Sequence, residues 1–290
     1  MRKLTDISVV IFDMDGTLYQ EDTFVERYIA YMMAETEEGA RSAAALRARA
    51  LLTGDSPIRL GQYYHREDDV VLVRSGGIFA NAYTWEGEPL EAGRFAASYA
   101  SMEPTDERLL YLGDPWGVVN ALRHKHRIPL ETADAAFRRV REEMLEAPYA
   151  FPLDESLLQA VRELDGVTKV LMTNTYEQSA LDFLRRMGLD GAFDDVVPAA
   201  EKPAGIAEYM DALVRRGIAP SEILSIGDNP WNDLLPAKRL GALTCCISPY
   251  ELAEEESWDI RVHTVGELAA LLRELREAKR GERSTAAQLN

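Results

Sequence analysis

Along the chain, short apolar runs are each closed by a cluster of polar residues. The first is Val9-Val10-Ile11-Phe12, which leads into Asp13-Met14-Asp15-Gly16-Thr17-Leu18. Four apolar residues rich in β-branching predict a buried strand, and Gly16 marks where it must stop. From about Glu21 to Leu52 the spacing becomes helical, with Phe24, Tyr28, Tyr31 and Met32 on one face and an Ala/Arg-rich stretch ending at Gly54-Asp55-Ser56-Pro57. Ile58 to Tyr99 fits no regular period, although Val70-Val71-Leu72-Val73 stands out within it. Helical spacing returns over Val118–Leu122 and Ala133–Leu145 before the Pro-flanked Ala147–Pro152 marks a domain boundary.

Beyond Pro152 strands and helices alternate. Helices are predicted over Leu153–Leu164, Glu177–Met187 and Ile206–Arg216, the last capped by Gly217. Strands are predicted over Thr168–Met172, Asp195–Pro198, Ile223–Ile226 and Ala242–Ile247, with a further segment near Ile260–Val265. A helix runs to Leu240, an amphipathic charged helix covers Glu267–Lys279, and Arg280–Asn290 is predicted to be a disordered tail. Such alternation is the grammar of an α/β fold with a parallel sheet.

Composition narrows the picture. A chain of 290 residues is long enough for about two domains. Its formal charge of -17 argues against nucleic acid or an anionic membrane as the main partner, and a small anionic substrate would need a local cluster of donors. Cys245 and Cys246 lie in an apolar run and read as reduced thiols in a strand. The amino terminus enters a strand almost directly, without a signal-peptide core, and there is no membrane-length apolar run, so a cytoplasmic protein is expected.

Candidate chemistry lies where the apolar runs end: Asp13 and Asp15, Thr173 and Asn174, Lys202, then Asp228 and Asp233. In a parallel sheet such ends lie along one edge, so these distant residues can converge on one pocket. Two carboxylates one residue apart raise each other's pKa unless a cation or donors neutralise them, so the pair asks for a metal. The set offers an Asp nucleophile, a second Asp for proton transfer, a hydroxyl and amide to hold oxygens, a lysine against negative charge and carboxylates for a divalent cation. Singly, each residue has an ordinary structural reading, as a turn cap, a solvated loop charge or a helix N-cap.

These residues make the sequence resemble the haloacid dehalogenase superfamily, mostly phosphatases. Asp13-Met14-Asp15-Gly16-Thr17 matches its first motif and Leu171-Met172-Thr173-Asn174 its second. Lys202-Pro203 matches the third, and Gly227-Asp228-Asn229-Pro230-Trp231-Asn232-Asp233 the acidic fourth. The resemblance implies a Rossmann-like, three-layer α/β core (1–18 and 150–279) interrupted by a mostly helical cap (19–149). It implies Asp13 as a nucleophile that becomes an aspartyl-phosphate and Asp15 as general acid and base. Thr173 and the backbone at Asn174 would bind the phosphoryl oxygens, and Lys202 would offset their charge. Mg²⁺ would be held by the Asp13 carboxylate, the Asp15 carbonyl and Asp228, with Asp233 in the outer shell or positioning Lys202.

The expected activity is Mg²⁺-dependent hydrolysis of a small phosphorylated metabolite, such as a nucleoside monophosphate or sugar phosphate. A phosphosugar mutase or a non-catalytic module on the same fold are the alternatives. Asp15 argues against dehalogenation, which needs neither a metal nor an acid there. Arg123-His124-Lys125-His126-Arg127 could meet the anionic end of a substrate but reads better as a solvated helix terminus, and Gly113-Asp114-Pro115-Trp116 reads as a turn or helix start. Tyr19 and Trp85 are candidates to line the substrate pocket, whereas Phe24 and Tyr28 are better placed as core.

Overall fold

The computed structural model describes residues 4–253 and 258–288, with backbone alone over 282–288. It divides into two compact units, Met1–Glu21 with Ala150–Pro249 and Ser257–Asn290, and Asp22–Tyr149 with Tyr250–Glu256.

Strand β1 (Val9–Phe12) is buried at every position, as its unbroken apolar run requires of a central parallel strand. After it the chain enters the second unit. The helical stretch expected as one element is two, α1 (Phe24–Met32) and α2 (Glu38–Thr53), separated by a break that contains neither Gly nor Pro.

The stretch without a recognisable period holds β2 (Gln62–His65), β3 (Val70–Ser75), β4 (Ile78–Thr84) and α3 (Ala92–Ser98). With β5 (Leu109–Leu112) the strands form an antiparallel sheet in the order β4-β3-β2-β5. Helices still supply more of this unit than strands do, and it continues into α4 (Pro115–Lys125) and α5 (Leu130–Glu143). Asp114 caps α4, accepting from the Gly117 N–H at 2.7 Å, so the Gly113–Trp116 segment is a helix start. Phe24 stacks on Trp116 with ring centroids 3.7 Å apart, which makes it core. Trp85 is buried against Tyr64, with centroids 5.2 Å apart, rather than lining a pocket.

Returning to the first unit, the chain forms α6 (Glu155–Glu163), β6 (Thr168–Met172), α7 (Glu177–Arg186), β7 (Asp195–Val197) and α8 (Ala204–Arg215). Then follow β8 (Ile223–Gly227), a wide helical turn Pro230–Leu234, α9 (Leu235–Leu240), β9 (Leu243–Ile247), β10 (Ile260–Val262) and α10 (Val265–Gln288). The last helix overturns the tail prediction, because residues 280–288 continue it; 289 and 290 lie outside the described residues.

The parallel sheet has the order β10-β9-β8-β1-β6-β7, with β1 inside it. Val9 and Ile11 point to the face covered by Ile206 and Met210 of α8 and Ala237 of α9. Burying such a side chain contributes about 1.5–3 kcal/mol relative to leaving it exposed. Cys245 and Cys246 are buried free thiols in β9.

One connection was not expected. The chain beyond β9 joins the second unit, where the Ala253 N–H donates to the Leu60 carbonyl at 2.8 Å and the Tyr250 hydroxyl to Asp22 at 2.9 Å. Among the described residues, no helix is long and apolar enough to cross a membrane.

Candidate active site

Sheet register brings the candidate residues together. Phe12 is level with Leu171 of β6 and Ile226 of β8, so the residues just beyond these strands emerge at one edge. The Asp13 N–H donates to the Ile226 carbonyl at 2.9 Å, which carries the ladder one residue past β1.

Asp13 is 7% exposed and its two oxygens have different partners. Oδ1 accepts from the Lys202 ammonium at 2.6 Å, and Oδ2 accepts from the Thr17 hydroxyl at 3.0 Å. The same ammonium donates to Asp233 Oδ1 at 2.7 Å, so Lys202 bridges two buried carboxylates. Burial pushes the Asp13 carboxyl up to about 7; Lys202 works against that shift, and Asp233 and Asp15 add to it. For Lys202 burial acts to lower the pKa, but Asp13 and Asp233 outweigh it and hold the ammonium above its ordinary range.

Asp233 is itself fixed. Its Oδ2 accepts from the Asn229 N–H at 3.1 Å, and its carbonyl accepts from the Ser225 hydroxyl of β8 at 2.7 Å. At Gly227 an added Cβ would lie 2.4 Å from the Asp233 Cβ, so only glycine lets the strand end approach this closely.

The loop that delivers Lys202 hangs from the end of β6. The Ala199 and Ala200 N–H groups donate to the carbonyls of Thr175 and Thr173 at 2.8 and 2.9 Å. The loop places Ala199 and Glu201 at φ of 46° and 51°, a left-handed conformation that costs non-glycine residues. The side chain of Asn174 is committed to this loop, bonded to both the N–H and the carbonyl of Lys202. This leaves the backbone at Asn174, the part of it expected to bind phosphoryl oxygens, separate from the side chain's task of holding the loop. Thr173 is buried at the strand end, where its hydroxyl accepts from the Thr175 N–H at 3.2 Å.

Carboxylate oxygens of Asp13, Asp228 and Asp233 lie within 4.8 Å of one another, a grouping able to hold a metal ion. Their all-oxygen donor set suits a hard divalent cation. Gly16 supports the fit: at φ 79° its missing side chain leaves the space that Asp228 occupies, and a Cβ there would sit 2.0 Å from Asp228 Oδ2. The Asp15 side chain is not part of this group; its Oδ1 accepts from the Tyr19 hydroxyl at 2.5 Å.

Sequence reasoning gave no role to Thr17 and placed Tyr19 in a pocket wall. Each stands four residues beyond the carboxylate it contacts, Asp13 and Asp15, and that spacing across a strand-end turn was the available signal.

The model of the haloacid dehalogenase-like hydrolases matches residues 7–241. The chain is similar to a protein named as a pyrophosphatase, PpaX, of Clostridium perfringens, with 25% identity over 60% of this chain and 84% of that protein. It is also 29% identical to the glyceraldehyde 3-phosphate phosphatase of Methanocaldococcus jannaschii over 32% of this chain, which spans under half (44%) of that protein. A solved structure described as a phosphoglycolate phosphatase of Haemophilus somnus covers 93% of this chain and 99% of its own, with a TM-score of 0.52 and 13% identity. That likeness shows a shared fold.

Proposed function

The chain belongs to the haloacid dehalogenase-like hydrolase family, and we propose that within it this protein is a cytoplasmic, Mg²⁺-dependent phosphatase of a small phosphorylated metabolite. The observation that carries the reading is the Lys202 ammonium bridging Asp13 and Asp233 inside the group of carboxylates that includes Asp228. Two relatives by sequence bear names of phosphate-cleaving enzymes, which supports the same chemistry.

In this mechanism Asp13 attacks phosphorus and forms an aspartyl-phosphate as the ester bond breaks. Asp15 gives its proton to the leaving oxygen, then takes one from the water that hydrolyses the aspartyl-phosphate, so inorganic phosphate leaves and both carboxyls are restored. The Thr173 hydroxyl and the backbone N–H groups around Asn174 hold the phosphoryl oxygens, and Lys202 offsets their charge. Asp13, the Asp15 carbonyl and Asp228 would hold Mg²⁺, which when bound supplies Lewis acidity toward the phosphoryl group. With both its oxygens engaged, Asp233 serves to position Lys202.

The test is release of inorganic phosphate from a panel of nucleoside monophosphates and sugar phosphates by the purified protein, with Mg²⁺ or EDTA, beside Asp13→Asn. Release that needs Mg²⁺ and is lost in Asp13→Asn is expected. A folded protein that binds Mg²⁺ and hydrolyses no ester would overturn the proposal in favour of a mutase or a non-catalytic role.

A further inference from the structure

Tyr19 sits where Asp15 can be aimed. Its hydroxyl donates to Asp15 Oδ1 at 2.5 Å, and the backbone keeps the two residues in step through an isolated bridge. The ring is 3% exposed and closely seated. Its centroid is 4.3 Å from that of Phe151 and 5.7 Å from that of Phe183, and those two rings stack on each other at 4.9 Å. Phe183 comes from α7. Tyr19 stands two residues before the chain leaves this unit at Glu21, and Phe151 one residue after it returns at Ala150. A buried phenol packed against this stacked pair has little rotamer freedom, so core packing fixes the direction of its hydroxyl.

We propose that Tyr19 is a positioning residue that holds the Asp15 carboxyl for proton transfer, an inference that rests on the reading of Asp15 as general acid and base. Donation to Oδ1 fixes the carboxyl plane and leaves a transferable proton to Oδ2. In the first half-reaction that proton passes from Oδ2 to the departing ester oxygen; in the second, Oδ2 takes the proton of the attacking water. The phenol keeps its own proton throughout. A 1 Å misplacement of such a group can cost about 100-fold in rate, so a residue that never touches substrate can matter this much.

The leaving group separates the two halves. p-Nitrophenolate departs without a proton, so with p-nitrophenyl phosphate only hydrolysis of the aspartyl-phosphate depends on Asp15. Tyr19→Phe keeps the aromatic stack and removes only the hydroxyl. On that substrate the variant is expected to lose roughly tenfold in kcat with no rise in KM, and to accumulate acid-stable phosphoenzyme in the steady state. On an alkyl phosphate kcat falls further, because both halves suffer. Built into Asp15→Asn, the same replacement is expected to leave the residual rate unchanged, since there is no acid left to position.

Equal losses from Tyr19→Phe in the wild-type and Asp15→Asn backgrounds, or unchanged kcat and phosphoenzyme level, overturn the positioning role while leaving the phosphatase reading intact. A wild-type protein that releases no phosphate from either ester overturns both.

Discussion

The side-chain amide of Asn174 is bonded twice to the backbone of Lys202: its Oδ1 accepts from the Lys202 N–H at 2.8 Å and its Nδ2 donates to the Lys202 carbonyl at 3.2 Å. The end of β6 thereby fixes the loop that carries the ammonium, even though that loop places Ala199 and Glu201 in left-handed backbone. Asn174→Ala removes both bonds. We expect a stability loss of about 1–3 kcal/mol in urea unfolding and a kcat at least roughly tenfold lower with KM less affected. Full kcat in the variant would mean the loop holds Lys202 without this clamp.

Lys202 also compensates buried charge. Lys202→Ala leaves Asp13 and Asp233 facing each other without a cation, an arrangement that costs about 3–5 kcal/mol. In EDTA its melting temperature should fall well below that of wild type, and added Mg²⁺ should recover part of the loss. Asp13→Asn works the other way. Burial holds the Asp13 carboxyl at about 7 against an ordinary 3.8, so in EDTA its contribution to stability is present below 3.8 and lost as pH rises through 7. At pH 8 in EDTA, Asp13→Asn should melt at or above wild type while being inactive.

Much of this candidate site was legible in the sequence because Asp13, Thr173 and Asp228 each follow directly on an apolar strand whose last positions are buried. β1 and β6 fall on their predicted boundaries, and the parallel register of Phe12 with Leu171 and Ile226 does the rest. The second unit was not legible, for physical reasons. β2, Gln-Tyr-Tyr-His, is buried at every position and so shows no alternation. β4 leaves Ile78 exposed, and its ladder with β3 slips between Val73 and Arg74, which erases the period of two. Among the described side chains of α10 the fully buried apolar positions stop at Leu275, and the sequence beyond it carries no large apolar residue before Leu289, so no apolar stripe announces the final turns.

Gly16 is a steric requirement of the carboxylate group that includes Asp228. Gly16→Ala would set a Cβ 2.0 Å from Asp228 Oδ2 at a φ of 79° that L residues rarely adopt. We expect Mg²⁺ affinity, read by calorimetry, to fall by at least roughly tenfold, as when the support of a metal ligand is lost. Wild-type affinity would show that Asp228 is not a ligand.

Acid should weaken the second unit. The basic run at the end of α4 is half-buried except Arg127, not solvated as expected. Burial, with Arg123 and Arg66 nearby, pushes His124 down to about 4, and its Nε2 lies 2.6 Å from the Arg123 guanidinium. Burial also lowers His65 and His126. The unfolded chain binds these protons first, so the stability the three contribute is lost in acid; for His124 it is present above 6.5 and lost as pH falls from 6.5 through about 4. His124→Gln should show a smaller loss of urea resistance between pH 7 and pH 4.5 than wild type; an equal loss would assign the acid sensitivity elsewhere.

The central claim is that Asp13 carries the phosphoryl group. Its most direct test is to mix the Mg²⁺-loaded protein with a turned-over phosphomonoester, quench in acid and map the phosphorylated peptide by mass spectrometry. The account predicts one added phosphoryl group on Asp13, absent in Asp13→Asn and enriched in Asp15→Asn with p-nitrophenyl phosphate. Phosphate release with no phosphorylated peptide in either protein, or with the phosphoryl group on another residue, would contradict it.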